Sequence, residues 1–443
     1  MPDEKKGRRH VSALPSNEPS FYNPSAGLIQ VRNKEDEALL RMHDDKPEPG
    51  EYTNETLKQH SCTRVPPDAA RGMSETVLIT GGAGFIGRFV SSELLSRGHK
   101  VRVLDSLIPQ VHGEVDGSKM LDPEAELIRG DVRDKAAVAG ALKGVDSVIH
   151  LAAEVGVGQS MYEVERYTST NDVGTAVLFE ALIDQPVRRV VTASSMSIYG
   201  EGLYRDADGV LVQDAERHGL KDGLSNWEPV DAQDRPLSPI ATPEWKRPAL
   251  SSIYALNKYV QERTTHIMAA PYGMEGVCLR LFNVYGPGQA LSNPYTGVLA
   301  IFASRLLNGQ QPMIFEDGEQ RRDFVHVSDV ARAFADALVD PRAVGGTFNI
   351  GSGHDRSVTE VATELARAMG KNDLAPIIVG KARIGDIRHC FCDTTLAAEK
   401  LDFRAAQDFG EGLAALAEWV GEQTAVDKVE QMRAELDARG LVA

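Results

Sequence analysis

Two side chains set the chemical question. In Ser251-Ser-Ile-Tyr-Ala-Leu-Asn-Lys258, Tyr254 and Lys258 stand four residues apart, which on a helix puts them on one face. An ammonium beside a phenol favours the phenolate. The spacing therefore predicts a tyrosine whose pKa is lowered toward working pH, able to take and return a proton. A Y-x-x-x-K pair alone is also a common solvated helix face. Upstream, Thr192-Ala-Ser-Ser-Met-Ser-Ile-Tyr-Gly200 follows an apolar run and offers hydroxyls where a strand would end, a pattern equally open to a plain polar turn.

A glycine-rich segment supplies a second chemistry. Thr80-Gly-Gly-Ala-Gly-Phe-Ile-Gly87 holds Gly82, Gly84 and Gly87 at G-x-G-x-x-G spacing, and Gly81, Gly84 and Gly87 at the related G-x-x-G-x-x-G spacing. Glycines there permit a tight turn and close approach of a pyrophosphate, whose charge sits on the N-terminus of the helix that comes next. Asp105 lies eighteen residues after Gly87, at the end of the next apolar run. A carboxylate at that place accepts hydrogen bonds from a ribose diol and repels a 2′-phosphate, which predicts NAD rather than NADP.

These groups need a scaffold that brings strand ends together. Val77-Leu-Ile-Thr80, Val101-Arg-Val-Leu104, Glu126-Leu-Ile-Arg129, Ser147-Val-Ile-His-Leu151 and a run opening at Arg188-Arg-Val-Val-Thr192 read as short strands, with an amphipathic helix over 87–97. Strand and helix alternating at this spacing means βαβ units and a parallel sheet, with ligands at the strands' carboxyl ends. The expected fold class is α/β, a Rossmann-type doubly wound parallel sheet with a smaller C-terminal α/β substrate-binding subdomain.

Composition narrows the partners. Lys and Arg number 48 and Asp and Glu 64, so the net charge is −16, which disfavours nucleic acid and anionic membrane. A phosphate-bearing ligand must then find a local nest of N–H groups and arginines. Cys62, Cys278, Cys390 and Cys392 form neither a disulfide framework nor a paired zinc signature, so no metal is expected and a reducing cytoplasm is the natural compartment. No apolar run reaches membrane-spanning length. Residues 1–73 are rich in proline and mixed charge, and are expected to be a disordered or extension tail.

Taken together, these motifs resemble the extended short-chain dehydrogenase/reductase family, in particular its NAD-dependent nucleotide-sugar epimerases and dehydratases. The resemblance covers nearly all of residues 75–420 and implies roles residue by residue. Gly81, Gly84 and Gly87 with Phe85 and Ile86 hold the cofactor's phosphates, and Asp105 its ribose. In Gly130-Asp-Val132, Asp131 and Val132 meet the adenine. In His150-Leu-Ala-Ala153, the backbone of Leu151, Ala152 and Ala153 lies along the cofactor. Asn171 of Asn171-Asp-Val-Gly-Thr175 orders the active-site region. Ser195 becomes the hydroxyl that binds the substrate oxygen beside Tyr254, with Ser197 close by. Asn283 in Leu279-Arg-Leu-Phe-Asn-Val-Tyr-Gly-Pro287, Arg322 in Arg321-Arg-Asp-Phe-Val-His-Val327 and Arg383 would take a diphosphate. Asp386 would take a nucleoside ribose, and Cys390 would gate sugar size.

The resemblance also implies a layout. An NAD-binding Rossmann domain spans 74–278, interrupted by an insertion at 201–250. A mainly nucleotide-sugar-binding subdomain spans 279–423, partly interleaved with the first, and a C-terminal helical appendage spans 424–443. Family members commonly pair through the helices holding Asn171 and Tyr254, so a homodimer is expected. The insertion lacks cysteine pairs but carries Trp227 and Trp245, which would cap a sugar or pack the insert onto the body.

All these enzymes begin by oxidising a sugar C4 with NAD⁺, and the residues after Ser195 decide the later steps. The family's dehydratases carry Asp-Glu there and its decarboxylases a Glu, whereas this chain has Met196 and Ser197. With no extra acid or base, C4 epimerisation is the simplest expectation, on dTDP-L-rhamnose or a UDP-hexose. A dehydratase or reductase of the same fold and a non-catalytic NAD-binding regulator are the alternatives. Tyr254→Phe should abolish turnover while NAD stays bound. Assayed against a retained-cofactor measurement, near-wild-type activity would rule out the tyrosine as proton carrier.

Overall fold

Three apolar residues in a row build the first strand. The computed structural model describes residues 74–113, 121–217, 227–295, 297–383 and 385–442, so the tail expected over 1–73 lies outside the described residues. In β1 (Thr76–Thr80), Val77, Leu78 and Ile79 are all buried, because helices cover both faces of the sheet and alternation gives way to a continuous apolar run. α1 (Phe85–Ser96) is next, burying Val90 and Leu94 one turn apart. Then come β2 (Lys100–Asp105), β3 (Glu126–Arg129), β4 (Ser147–His150), α2 (Gly174–Asp184) and β5 (Arg189–Ser195). α3 (Ile253–Ala269) leads to β6 (Glu275–Leu281), β7 (Asn283–Tyr285), α4 (Val298–Leu307), β8 (Arg321–His326), α5 (Val327–Val339) and β9 (Thr347–Ile350).

Seven strands form one sheet in the order β9-β6-β5-β4-β1-β2-β3, and every neighbouring pair is parallel. Chain order reverses between β1 and β4, which is the crevice where such sheets bind ligands. On one face, Val77, Ile79, Val103 and Ile149 pack with Val90 and Leu94 of α1 and Val330, Phe334 and Leu338 of α5. On the other, Leu78, Leu104, Val148 and Val190 pack with Leu178 and Leu182 of α2. The predicted strands fall within a few residues of those observed. β9 had no expectation, since it pairs with a strand about seventy residues earlier in the chain.

α3 is the exception to apolar packing. Its buried face includes Tyr254, Lys258, Gln261, Glu262 and Thr265, and β5 partners most of these polar groups. Thr265 meets Thr192 at 2.8 Å, the Lys258 ammonium donates to the Ala193 carbonyl at 3.0 Å, and the Ser194 hydroxyl donates to Glu262 at 2.7 Å. Glu262 also holds Arg280 of β6 in a bidentate ion pair, at 2.7 and 3.0 Å.

The described part of the insertion forms a small antiparallel sheet from Leu203–Arg205, Leu211–Val212 and Ser238–Ile240. Buried charge welds it to the C-terminal half. Arg217 bridges Glu201 and Glu316 at 3.1 and 2.5 Å, and Arg388 bridges Glu228 and Asp317, each at 2.6 Å. Burial opposes ionisation of Glu228, but its contacts with His389 and Arg388 outweigh that and hold the carboxyl at about 2.

Removing one partner of a buried ion pair strands the other charge, which costs about 3–5 kcal/mol. Arg280 and Glu262 are 8% and 3% exposed. Glu262→Ala should therefore lower stability by roughly that amount in urea unfolding. A loss under about 1 kcal/mol would show that the pair does not hold α3 to the sheet.

Candidate active site

A single cleft of about 1320 Å³ runs from the glycine loop past Ser195 and Tyr254 to Arg322, Arg383 and Asp386. Its volume exceeds that of an ordinary one-ligand pocket. At the loop, Gly81 has φ +70°, and a Cβ there would stand 2.8 Å from the Ala152 backbone. A Cβ on Gly87 would stand 2.5 Å from Gly82, so this glycine lets the helix start against the turn. Gly84 caps α1 without a side-chain hydrogen bond, which leaves the first N–H groups of the helix facing the cleft.

Asp105 is buried beside the loop and accepts from the Ala83 and Leu107 amides at 3.0 and 2.8 Å, with His112 at 3.4 Å. A carboxylate offers about four acceptor positions, so lone pairs remain for a ribose diol. Asp131 and Val132 line the next stretch, with Asp131 held by Arg133 at 2.6 Å. Leu151, Ala152 and Ala153 form the floor. These residues fit a dinucleotide.

Ser195, Tyr254 and Lys258 line one stretch of the cleft. Ser195 ends β5, buried, and its hydroxyl lies 3.1 Å from that of Ser197. Tyr254 sits in the first turn of α3, which Ser252 caps through the Ala255 amide, and the Ser160 hydroxyl accepts the Tyr254 amide at 3.1 Å. The electrostatics correct one expectation. Burial pushes the Tyr254 phenol up to about 12, against the smaller downward pull of its hydrogen bond with Ser195, and Lys258 does not lower it. The reason is geometric and dielectric together. The Lys258 ammonium is occupied by the Ala193 carbonyl and by Gln261 at 2.9 Å, and its own burial pushes it down to about 7. Beneath lies His150, between Thr80 at 2.7 Å and Thr175 at 2.9 Å, held down to about 3 by burial and by Lys258.

Asn171, grouped by the resemblance with the cofactor-binding residues as well as with the ordering of the site, does not line the cleft. It lies in a π-helical turn, Ser169–Val173, and its amide exchanges hydrogen bonds of 2.7 and 3.1 Å with the Glu154 backbone. It fixes the loop after β4 instead of lining the cleft. Cys390 is a second correction. Its thiol is buried among Met196, Ile198, Tyr199 and Phe282 and does not line the cleft. The insertion covers it, with Thr242 beside the sulfur and the Gly202 amide on the His389 carbonyl at 2.8 Å. Trp227 and Trp245 are also off the cleft, and Trp245 is 58% exposed.

The far half of the cleft holds the predicted anion binders. Three backbone carbonyls, of Arg321, Ile387 and Arg388, orient the Arg322 guanidinium, and no carboxylate pairs with it among the described residues. Arg383 pairs with Asp386 at 2.7 Å, and the buried Asn283 Oδ1 has no protein partner. The expected appendage proves to be a wall. α6 (Val429–Ala438) packs Val429, Met432 and Leu436 against Tyr162, Tyr295, Ile301 and Met313. Tyr162 and Tyr295 share a 2.5 Å contact, and Tyr295 donates to Glu435 at 2.9 Å. Sequence reasoning did not single out Gln261, Glu262, Tyr295 or Met432. Only the polar i, i+4 series on α3 carried any signal.

Fold and cleft define a dinucleotide-dependent enzyme of the doubly wound α/β class. The NAD dependent epimerase/dehydratase family matches residues 77–217 and 231–351. The chain belongs to that family, and NAD is its cofactor. It is 35% identical to the dTDP-L-rhamnose 4-epimerase of Burkholderia thailandensis over 353 residues, 78% of this chain and 95% of that protein. It resembles the Thermotoga maritima UDP-glucose 4-epimerase solved with UDP-glucose, with a TM-score of 0.63 and 30% identity over 78% of this chain and 98% of that one. The Thermus thermophilus UDP-glucose 4-epimerase solved with NAD gives 0.63 and 29% over 79% and 100%. Among the described residues no helix is long and apolar enough to cross a membrane.

Lys258 titrates near 7 in the folded chain against an ordinary value of 10.5. Between those values the unfolded chain binds more protons, so its contribution to stability rises with pH. In cofactor-free protein, the thermal midpoint of wild type minus that of Lys258→Met should climb from about pH 7 to about pH 10. A flat difference would show that Lys258 does not titrate in this window.

Proposed function

We propose that the protein is a nucleotide-sugar 4-epimerase, a homodimer of the cytoplasm in which residues 74–278 hold NAD and residues 279–423 mainly hold the sugar nucleotide. One observation carries the reading. Among the described residues, every carboxylate lining the cleft is already engaged: Asp105 by amides, Asp131 by Arg133, Glu154 and Glu163 by Arg166, Asp386 by Arg383 and Glu435 by Tyr295. Next to Ser195, Met196 is apolar and Ser197 is a hydroxyl, so no group there suits elimination of water or loss of a carboxylate. Tyr254 is left as the proton carrier.

Bound NAD supplies a hydride acceptor and donor at the sugar's C4. The protein does the rest. Ser195 fixes the C4 oxygen, and Tyr254 takes its proton and later returns it. Positive charge beside the ring, from the oxidised cofactor, would lower the phenol from its buried value. Asn283, Arg322 and Arg383 take the diphosphate, since guanidinium forks match phosphate oxygens. The loop over 286–295 reaches across the cofactor half, with Gln110 3.3 Å from Asn293, which suits a cofactor that is retained and recycled. Val173 and Leu256, 50% and 42% exposed, lie on the helices around Asn171 and Tyr254 and favour pairing of two copies there.

The named relatives point to dTDP-L-rhamnose or a UDP-hexose as substrate. Purified protein offered UDP-glucose, UDP-N-acetylglucosamine, UDP-glucuronate and dTDP-L-rhamnose, each without added NAD, should yield a C4 epimer by NMR in one tube. A product stopped at the 4-keto or decarboxylated stage would refute the epimerase reading.

A further inference from the structure

Arg88 stands one turn beyond Gly84 on α1, and its amide donates to the Gly84 carbonyl at 3.1 Å. Side chains on a helix lean toward its N-terminus, so Arg88 shares the face that Gly84 opens to the cleft, and it lines that cleft with Gly84, Phe85 and Ile86. One arm of its guanidinium is fixed. Nη2 donates at 2.5 Å to the carbonyl of Gly288, in the loop that crosses from the C-terminal half. That contact is built into the backbone: Gly288 has φ +91°, and a Cβ there would stand 2.8 Å from Nη2.

The other side of the guanidinium is not satisfied. Nε is buried with no hydrogen-bond partner, and no carboxylate pairs with Arg88 among the described residues. The cleft's other arginines contrast with it. Arg133 and Arg383 have carboxylates, and Arg322 has three carbonyls. A desolvated cation with a spare donor is costly unless an anion completes it.

We infer that Arg88 is a binding residue for the diphosphate of NAD, and that its grip on Gly288 couples retention of the cofactor to closure of the 286–295 loop. The inference rests on the reading that NAD resides in this cleft. A diphosphate could also be that of the sugar nucleotide. The position of Arg88 beside the glycine loop assigns it to the cofactor.

The test compares wild type, Arg88→Ala and Arg88→Gln. The glutamine keeps a donor for Gly288 and guards against loss of the fold. NAD carried through purification is measured first. Stripped protein is then titrated with ADP-ribose, adenosine and UDP. Both variants should lose bound NAD and bind ADP-ribose about ten- to a hundredfold more weakly, with adenosine and UDP unchanged, as for removal of a charge-assisted hydrogen bond. An equal loss for adenosine would make Arg88 merely structural, and a loss confined to UDP would place it on the sugar nucleotide. Either result, or unchanged ADP-ribose binding, overturns the inference. Wild type that binds neither NAD nor ADP-ribose would instead overturn the reading beneath it.

Discussion

The buried polar face of α3 is the constraint that fixes the geometry of the whole site. A helix packed through leucines can rotate or slide by a fraction of a turn at modest cost, because dispersion is not directional. One packed through Lys258, Gln261, Glu262 and Thr265 cannot, since each buried donor or acceptor must keep its partner on β5, β4, β6 or α2. Tyr254 inherits that precision. It sits one turn before Lys258, at the end of the helix where the polar ladder meets Ser195.

The same constraint explains the chemistry's setting. Full burial gives Tyr254 a high pKa and Lys258 a low one, so without the cofactor the phenol stays neutral and the ammonium is only partly protonated near neutrality. Charge enters the site with the ligand. The described carboxylates of the cleft are paired with arginines or hydrogen-bonded by amides and a tyrosine hydroxyl. Among the described residues, Tyr254 is thus the one phenol beside Ser195, and the carboxyls lining the cleft already have partners. The insertion adds stiffness rather than a reactive group: its Arg217 donates to the Asp386 carbonyl and its Glu228 pairs with Arg388, which hold the segment that carries Arg383 and Asp386.

Local signals were legible in the sequence. The glycine loop, the strands around it, Asp105 and the Tyr254 and Lys258 pair depend on neighbours within one βαβ unit or one helix turn. What escaped depends on distant segments. A solvated helix face and the inner face of α3 read alike until β5 and β6 are placed against them. Cys390 could be put at a sugar pocket only by ignoring Gly202 and Thr242, which the insertion folds over it. The charged sequence at 429–438 gave no sign that Met432 and Leu436 would be buried against Tyr295. The effect of Lys258 on Tyr254 was misjudged because spacing reports proximity but not burial.

The π turn at Ser169–Val173 has a consequence for how this region can change over time. A π turn holds one residue more than an α turn, and it is what lets Asn171 face the Glu154 backbone while the helix continues as α2. Deleting any single residue there would restore an unbroken α-helix, yet each residue corresponds to about 100° of rotation, so everything on one side of the deletion would turn to a new heading. Substitutions on the outer face leave that phase intact. The segment should therefore accept drift in its residue types but not in its length, so that a frame of five residues behaves as a fixed spacer between cofactor floor and the outer helix face.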